Sequence, residues 1–463
     1  MSRRLPSASR LFVAAGVAFV TMLLPARFAA ADQTYTLRPS RSAGELSRVK
    51  VSIKVGGELF LQSDGKQRAI PMSVDGALEY DEKLISTGDG QSPLVASYRS
   101  YKRANAILQL EKGSETPTLP ESRRLVLARA GQKSITLVAP AGPLTREELD
   151  LIDVPANSLL LPEFLPDKPV QIGDCWRHSD ELLAKLLELD VVSGSTAESK
   201  LDAVTDGKAK MSLAGNAQGA VGGVTAQIEF KAKYEFNLAT RRIEWFALMI
   251  KDKRPVGMVN PGLDGIAKIL VEIAPLENCP ELAAERLAGL PDEGAPDVAQ
   301  LRFRPAGSQF ELRHDRRWFV TTADRDVAIL RYMDRGELVA QCNISKLPDA
   351  AQSSDRSIGL EQFSEQVRTA LGKRFERVVS ASQSGEGDGG NHVYRVVCEG
   401  EQAQLPIRWI YYLVTSPRGD RLTLTFTLEE KLIEQFGAAD EELIARLQLV
   451  DGAAEAPRQA RRP

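Results

Sequence analysis

The sequence predicts an α+β protein in two parts, an N-terminal antiparallel β-rich domain followed by a C-terminal α/β domain. From Val49 to Val55, apolar residues alternate with polar ones, which is typical of a strand with one buried face. A leucine-rich run after Ser179 has the spacing of an amphipathic helix. The polar, proline-containing segment 291–297 then indicates a linker between the two parts.

Residues 1–31 have the three-part pattern of a secretory signal peptide. A basic start precedes an apolar run over 11–24, and the small residues at 29–31 offer a cleavage site. The alternative is an uncleaved anchor, but the run is short for a membrane span, which favours cleavage. Because the first cysteine is Cys175, no lipid anchor is expected. We therefore expect an exported, periplasmic or extracellular protein that is soluble after cleavage.

The composition limits the kinds of partner. The chain has 463 residues and a formal net charge of -3, which does not favour nucleic acid binding. After the signal segment no apolar run is long enough for a transmembrane segment. An envelope protein or an apolar ligand is therefore the expected partner.

Five segments are predicted along the chain. Residues 1–31 are the signal peptide, and 32–279 form the antiparallel β-rich domain, a curved sheet or half-barrel with a covering helix. Residues 280–300 are the linker and 301–450 the α/β domain. The tail 451–463 has no apolar pattern, so disorder is expected there.

The leucine-rich helix after Ser179 has two interpretations. Ser179 is a good N-cap, and the following acidic residues suit the positive end of a helix dipole. The apolar stripe either packs into the core or lines an apolar groove that holds an acyl chain. Its residues are Leu182, Leu183, Leu186 and Leu187.

The four cysteines are possible disulfide partners if the protein is exported. Pairing within each domain would join Cys175 to Cys279 and Cys342 to Cys398. Four free thiols are the alternative, and the sequence leaves both open.

Motifs for catalysis are scarce, so no catalytic residue, metal ligand or cofactor is predicted. His314-Asp315 could form an acid–base pair or part of a metal site, but a turn before Trp318 is favoured. Ser63 and Lys66 match a Ser-x-x-Lys pattern, yet the Asp-Gly pair between them indicates a hairpin turn. The glycine-rich loop at 384–391 has too few oxygen ligands for an EF-hand.

Four stretches of the C-terminal part resemble the PsbP-like family of α/β/α sandwiches over residues 305–450. They occur in the family's order and are Trp318-Phe319-Val320, a predicted helix at 360–371, the run from Arg421 to Thr427, and the segment from Glu434 to Phe436. The resemblance implies a PsbP-like α/β/α sandwich. It also implies a role in binding or assembly, because members have no shared catalytic constellation.

The N-terminal part has weaker resemblances. The segment from Pro169 to Trp176 is similar to a "vGd.W" step in exported β-rich bacterial proteins of unknown role. A curved antiparallel sheet with a leucine-rich helix also resembles the half-barrels of periplasmic lipoprotein carriers such as LolA and LppX. That second likeness implies a cavity for an apolar ligand.

Three functions follow as expectations. The first is an exported, non-enzymatic binding or assembly module of the cell envelope. The second is a carrier of a lipid or another apolar ligand in the N-terminal β domain. The third is a hydrolytic enzyme with an unrecognised carboxylate site, which a pocket holding carboxylates with perturbed pKa values would favour.

Overall fold

A computed structural model describes residues 33–63, 66–88, 94–131, 134–290, 299–348, 358–385 and 390–450. The predicted signal peptide, the predicted tail, and parts of the predicted linker and of the 384–391 loop lie outside the described residues.

The described residues form three antiparallel sheets, and the largest contains twelve strands. These strands are β1 (Leu46–Ser63), β2 (Lys66–Thr87), β3 (Val95–Leu110), β4 (Gly113–Glu115), β5 (Leu125–Ala130), β6 (Ile135–Val138), β7 (Cys175–Arg177), β8 (Val191–Thr205), β9 (Lys208–Val221), β10 (Val224–Asn237), β11 (Arg242–Arg254) and β12 (Gly262–Pro275). The spatial order is β6-β5-β3-β2-β1-β12-β11-β10-β9-β8-β7, with β4 beside β3.

One face of the large sheet is apolar, and we call it the inner face. In β10, for example, Ile228, Phe230 and Ala232 are buried, whereas Glu229 and Lys231 between them are exposed. This alternation follows the two-residue period of a strand, and the alternation predicted from Val49 to Val55 is confirmed in the same way within β1.

Helices are few and short. They are α1 (Arg146–Ile152), α2 (Asp180–Leu187), α3 (Ala284–Leu287), α4 (Leu360–Leu371), α5 (Ile433–Phe436) and α6 (Ala439–Ala445). Two begin with side-chain caps: Thr145 and Glu148 form a capping box at α1, and Ser179 accepts a hydrogen bond from the Leu182 amide at α2. The predicted N-cap at Ser179 is thereby confirmed.

A buried polar network holds the loop after α1 on the large sheet. Arg99 and Glu82 form an ion pair at 2.8 Å, and Arg99 is 1% exposed. The Ser158 hydroxyl donates to Glu82, and Arg99 donates to the side-chain oxygen of Asn157. Because every charge in it is paired, this network ties the loop to the inner face.

The remaining strands form two smaller sheets. They are β13 (Leu301–Phe303), β14 (Phe310–His314), β15 (Trp318–Ala323), β16 (Val327–Asp334), β17 (Glu337–Leu347), β18 (Phe375–Ser384), β19 (His392–Gln402), β20 (Leu405–Thr415), β21 (Arg421–Glu429) and β22 (Leu447–Leu449). One sheet has the order β15-β16-β17-β21-β20-β19-β18, and the other has the order β13-β14-β22.

Aromatic rings fill one face of the seven-stranded sheet. The ring centroid of Phe436 lies 6.3 Å from that of Trp318 and 5.8 Å from that of Tyr332, both edge to face. Phe426 lies 5.9 Å from Trp318 in the same arrangement. These distances are those of well-packed aromatic pairs, so this face is a closed core.

The predicted fold class, α+β with a PsbP-like α/β/α sandwich after residue 300, is wrong. The described residues are mostly antiparallel strands in three sheets, with few helices. One face of the seven-stranded sheet is covered by α4, and the other by the short helices α5 and α6 together with the small β13-β14-β22 sheet. The apolar stripes that predicted helical layers belong to helices that are too short to form complete layers.

The large sheet and the seven-stranded sheet are joined by several contacts. Arg316 donates from Nε to the Ala299 carbonyl at 2.8 Å and also donates to the Leu137 carbonyl. Arg146 donates to the Arg316 carbonyl at 2.8 Å. Residues 280–290, assigned to the linker from sequence, pack through Leu282, Leu287 and Leu290 on the outer face of the large sheet.

Candidate functional site

A cavity of about 720 Å³ lies on the inner face of the large sheet. Helices α1 and α2 and the loop between them fill the rest of that face, and the cavity occupies the part that they leave uncovered. Its apolar lining comes from six strands and includes Ile53, Val55, Met72, Val74, Leu108, Ile228, Ile250 and Ile269.

Six adjacent strands of the large sheet line this space. The six lining strands, β3, β2, β1, β12, β11 and β10, are consecutive neighbours. Laid flat, they would span about 24 Å at the usual strand spacing. All six strands therefore contribute side chains to one cavity.

Small residues create the room. Gly76 lies between Ile53 and Ala106, and a Cβ atom added to Gly76 would lie 3.6 Å and 3.7 Å from the Cβ atoms of those neighbours. Ala267 occupies the equivalent place on β12, opposite Val55 of β1. Larger side chains at these positions would occupy the cavity, so its volume is set by the choice of glycine and alanine.

Most of the charged side chains that line the same cavity are acidic. The basic residue among its described lining residues is Arg254. The acidic lining residues, which we call the carboxylate group, are Glu115, Glu147, Asp150, Asp153, Glu188 and Asp252. The cavity therefore combines an apolar surface with an excess of negative charge.

Burial perturbs several members of the carboxylate group. Burial raises the pKa of Asp150 to about 6, and nearby Glu147 and Asp153 add to the effect against the pull of Arg146. Burial also raises the pKa of Asp153, and Arg316, Arg99 and Arg146 oppose that rise. Asp150 nevertheless keeps more than a third of its surface exposed, and Asp153 is half-buried, so the surrounding protein desolvates carboxyls that remain accessible.

Glu188, which keeps more than a third of its surface exposed, has a raised pKa and an unusual backbone conformation. It follows α2 in the left-handed conformation with φ of 55°, which non-glycine residues rarely adopt. Burial raises the pKa of Glu188 well above its usual range, and the charges of Asp153 and Asp150 raise it further while Arg254 opposes. The end of α2 thus delivers a carboxylate into a site that disfavours its ionised form.

Asp252 and Arg254 interrupt the apolar alternation of β11. Phe246, Leu248 and Ile250 face inward, and Asp252 and Arg254 continue the same two-residue period. Their closest side-chain atoms are 3.6 Å apart, Arg254 Nε and Asp252 Oδ2. Asp252 Oδ1 is buried and has no hydrogen-bond partner among the described residues, so this inward polar atom is left unsatisfied.

A second cavity of about 490 Å³, which we call the cleft, lies between the large sheet and the seven-stranded sheet. Arg316, Arg317 and Arg335 line it from one side. On the other side it shares Asp153 and Glu188, together with Val154, with the apolar cavity. These shared residues form the wall between the apolar cavity and the cleft.

The predicted groove helix contributes one residue to the apolar cavity. All four leucines of the α2 stripe, Leu182, Leu183, Leu186 and Leu187, are buried in the core of the large sheet. Of these, Leu187 also lines the cavity. A groove along the whole stripe stays a prediction.

All four predicted disulfide candidates are free thiols, with Cys175 exposed and Cys279, Cys342 and Cys398 buried. Cys342 is paired with Phe426, Phe426 with Ile410, and Ile410 with Val397 beside Cys398. Three strand spacings amount to roughly 14 Å, whereas disulfides need Cα atoms within about 7 Å. The possible Cys342–Cys398 pair would therefore require the sheet to rearrange.

His314 and His178 lie in surroundings that do not form a catalytic or metal site among the described residues. His314 Nδ1 lies 2.8 Å from the Asp315 backbone carbonyl, while the Asp315 carboxylate accepts hydrogen bonds from Arg317, so the two side chains form no acid–base pair. Burial lowers the pKa of His314 and of His178 to about 4. The described residues contain no group of three metal-ligating side chains, and no described helix is long and apolar enough to cross a membrane.

The carboxylate group was missed at the level of sequence because its members are far apart in the chain. Glu115, Asp150 and Asp252 come together through β3, α1 and β11. One local signal was present. Asp252 and Arg254 stand where the alternation of β11 calls for apolar residues, and inward charges in a strand mark a site or a rim.

Comparison with known proteins shows weak structural likeness. No family model matches the chain, and no curated protein matches it. A crystal structure from Bacteroides thetaiotaomicron has 15% sequence identity and a TM-score of 0.25, and the match covers 34% of this chain and 50% of that one. A Pseudomonas aeruginosa protein of unknown function, described as a putative regulator, has 12% identity and a TM-score of 0.22 over 35% of this chain and 99% of that one.

The cyanobacterial PsbP (CyanoP) of Synechocystis sp. PCC 6803 is similar at the same level. It has 16% identity and a TM-score of 0.24, over 32% of this chain and 92% of its own. This chain spans half the length of the Bacteroides structure that it matches. The predicted PsbP-like resemblance is thus confirmed only as a weak similarity to a PsbP-like structure.

Proposed function

We propose that this protein is an exported binding protein that carries a lipid or another apolar ligand in the cavity of the large sheet. The observation that carries the proposal is a cavity of about 720 Å³ with an apolar lining on the inner face of a sheet. Its volume is in the range of ligand sites, which are concave and mostly apolar with a few polar groups.

Side-chain size supports ligand binding over an ordinary core. Protein interiors are packed to crystal-like density, and large side chains normally fill an apolar face. Here Gly76, Ala106 and Ala267 keep the space open between Ile53 and Ile250. A ligand that fills this space would remove the apolar lining from water at no cost in side-chain rearrangement. Export rests on the signal pattern of residues 1–31.

The test is ligand recovery from the full-length protein expressed with its own N-terminal segment. Native mass spectrometry should show an adduct, and organic extraction should release an apolar molecule. Ala267→Leu should reduce the recovered ligand several-fold because it fills the cavity. Ala247→Leu is the matched control, since Ala247 faces the opposite side of neighbouring β11.

Equal recovery from both variants would place the ligand elsewhere. Protein that carries no adduct, and that also binds no long-chain alcohol or fatty acid when these are added, would contradict the carrier function.

A binding or assembly role toward another envelope protein is a second candidate, and β18 favours it. This strand forms one edge of the seven-stranded sheet, and nine of its ten residues are exposed. Val378 and Val379 are more than 40% exposed. An open edge of this kind is a template for strand addition by a partner. We include in this second candidate the proposal that residues 305–450 belong to the PsbP-like family, whose resemblance implies a binding or assembly role.

Site-specific photo-cross-linking in intact cells tests that role. A photoreactive residue at Val378 should give one discrete adduct, whereas the same residue at exposed Val191 of the large sheet should give none. Identical cross-linking patterns at both positions would argue against a partner at β18.

A hydrolytic enzyme is the third candidate, and the raised pKa values of Asp150 and Glu188 in one pocket favour it. Carboxylate catalysis, however, pairs a protonated acid with an ionised base, and Asp150, Asp153 and Glu188 are all shifted in the same direction. Turnover of chromogenic esters or glycosides that disappears in Glu188→Gln and persists in Glu181→Gln would establish this candidate. Absence of turnover in both the parent protein and the variants would leave the carrier.

A further inference from the structure

We propose that the cavity of the large sheet selects amphiphiles with a positively charged group, which the carboxylate group binds while the apolar tail lies against the inner face. This proposal rests on the carrier function and names its ligand class. Three observations carry it: the charge of the lining, the position of that charge beside the apolar surface, and an unsatisfied polar atom within it.

The first observation is charge. Six acidic side chains and one basic side chain are among the described residues lining the cavity. The basic residue, Arg254, already lies 3.6 Å from Asp252. Asp153 raises the pKa of Asp150, and both raise the pKa of Glu188, so the three carboxyls occupy one neighbourhood in which Arg254 is the described lining cation that acts on Glu188. A cationic group is the complement to such a lining.

The second observation is position. Leu187 and Glu188 are consecutive, and both line the cavity, as do Leu151 and Asp150 on α1. Apolar and acidic side chains therefore meet at the ends of both helices. An amphiphile could place its tail towards Ile53 and its charged group at these helix ends.

The third observation is Asp252 Oδ1, which is buried and has no hydrogen-bond partner among the described residues. Unsatisfied buried acceptors are uncommon in folded proteins, and a ligand is one of the usual partners. An ammonium donor in the cavity would satisfy this oxygen.

The groups facing these carboxylates determine the pH dependence. Glu188 faces Asp153, Asp150 and Arg254, while Asp150 faces Arg146, Glu147 and Asp153. Asp153 faces Arg316, Arg99 and Arg146. Burial holds the pKa values of the three carboxyls above their usual range. A bound cation stabilises the ionised carboxylates, so its affinity rises as the pH rises through those pKa values, and binding releases protons.

Three ten-carbon amphiphiles provide the test on the full chain. Decylammonium is positively charged at both pH values and carries N–H donors, 1-decanol is neutral, and decanoate is negative. By isothermal titration calorimetry, decylammonium should bind about tenfold more tightly at pH 8 than at pH 5, the effect of one pKa unit. The affinity for 1-decanol should not change, and decanoate should be the weakest ligand at pH 8.

Variants locate the effect. Asp153→Asn combined with Glu188→Gln should abolish the pH dependence for decylammonium and preserve binding of 1-decanol. Glu181→Gln, an exposed position on α2 outside the cavity lining, should behave like the parent protein. Titrations in two buffers with different ionisation enthalpies should show proton release for the parent protein, and the double variant should lose it.

The outcomes separate the two proposals. Equal, pH-independent binding of all three amphiphiles would overturn selection for cations and leave the carrier function standing. Tighter binding of decanoate would overturn it in favour of the arginines of the cleft. Binding of none of them would contradict the carrier function, and the selection with it.

Discussion

The large sheet and the seven-stranded sheet each have an apolar face, but side chains fill the two faces differently. In the seven-stranded sheet, Trp318, Tyr332, Phe426 and Phe436 meet edge to face and close the core. On the large sheet, glycine and alanine at the same kind of inward position leave about 720 Å³ open. The comparison teaches that an apolar strand face becomes a core or a binding site according to side-chain volume.

The strongest way to test this comparison is to empty the filled face. Trp318→Ala removes the ring that contacts Tyr332, Phe426 and Phe436, and Trp318 is 2% exposed. We expect a loss of about 3 to 5 kcal/mol in the free energy of unfolding. Urea unfolding followed by circular dichroism measures it. A loss below ~1 kcal/mol would mean that the aromatic face is not closely packed.

The next change targets the polar network that holds the loop after α1. Glu82→Ala leaves the Arg99 guanidinium buried without its partner, which should cost about 3 kcal/mol. Hydrogen exchange resolved by region should show faster exchange in the large sheet and unchanged exchange in β16, β17 and β21. Faster exchange throughout would show instead that the two sheets unfold as one unit.

A matched pair of substitutions compares the two faces directly. Ala328→Leu adds volume to the filled face, where Ala328 is 0% exposed, and overpacking should cost about 1 to 3 kcal/mol. Ala267→Leu adds the same volume to the cavity and should change the stability by less than ~0.5 kcal/mol. Thermal unfolding of the two variants measures the difference, and similar losses would mean that the cavity has no free space.

The smallest expected effect concerns the reactivity of the cysteine thiols, which lie in or beside both sheets. Burial raises the pKa values of Cys279 and Cys398 to about 11 and that of Cys342 well above its usual range. Cys175 is exposed at the β7 edge. One equivalent should therefore react with a thiol reagent in the native protein and four after unfolding without reductant. Two or fewer after unfolding would show that cysteines pair in the exported protein.

Local patterns predicted local structure well. The alternation from Val49 to Val55 predicted β1, and the cap at Ser179 predicted the start of α2. The stripe over 360–371 predicted α4 and its end at Gly372. In each case the signal lies within one element and depends on burial of a single face.

Other elements lacked such a signal. Strand β18 was missed because its side chains are exposed on both faces, so burial imposes no two-residue period on the sequence. A cavity for an apolar ligand was expected in the N-terminal domain, but most of its lining residues were not predicted, because they come together through pairing between strands such as β1 and β12, which are far apart in the chain. The layers assigned to the C-terminal part failed because short stripes do not reveal how much of a sheet a helix covers.

The wall shared by the apolar cavity and the cleft has a thermodynamic consequence. Asp153 and Glu188 contact both spaces, and Arg316, which faces Asp153, is bonded to the carbonyls of Leu137 and Ala299. A ligand at Asp153 and Glu188 would alter the attraction of these carboxylates for Arg316. Ligand binding in the cavity and the contact between the large sheet and the seven-stranded sheet would then be coupled equilibria. Linkage then requires reciprocity: a partner that loosens the cleft changes ligand affinity by the same factor by which the ligand changes the partner's affinity.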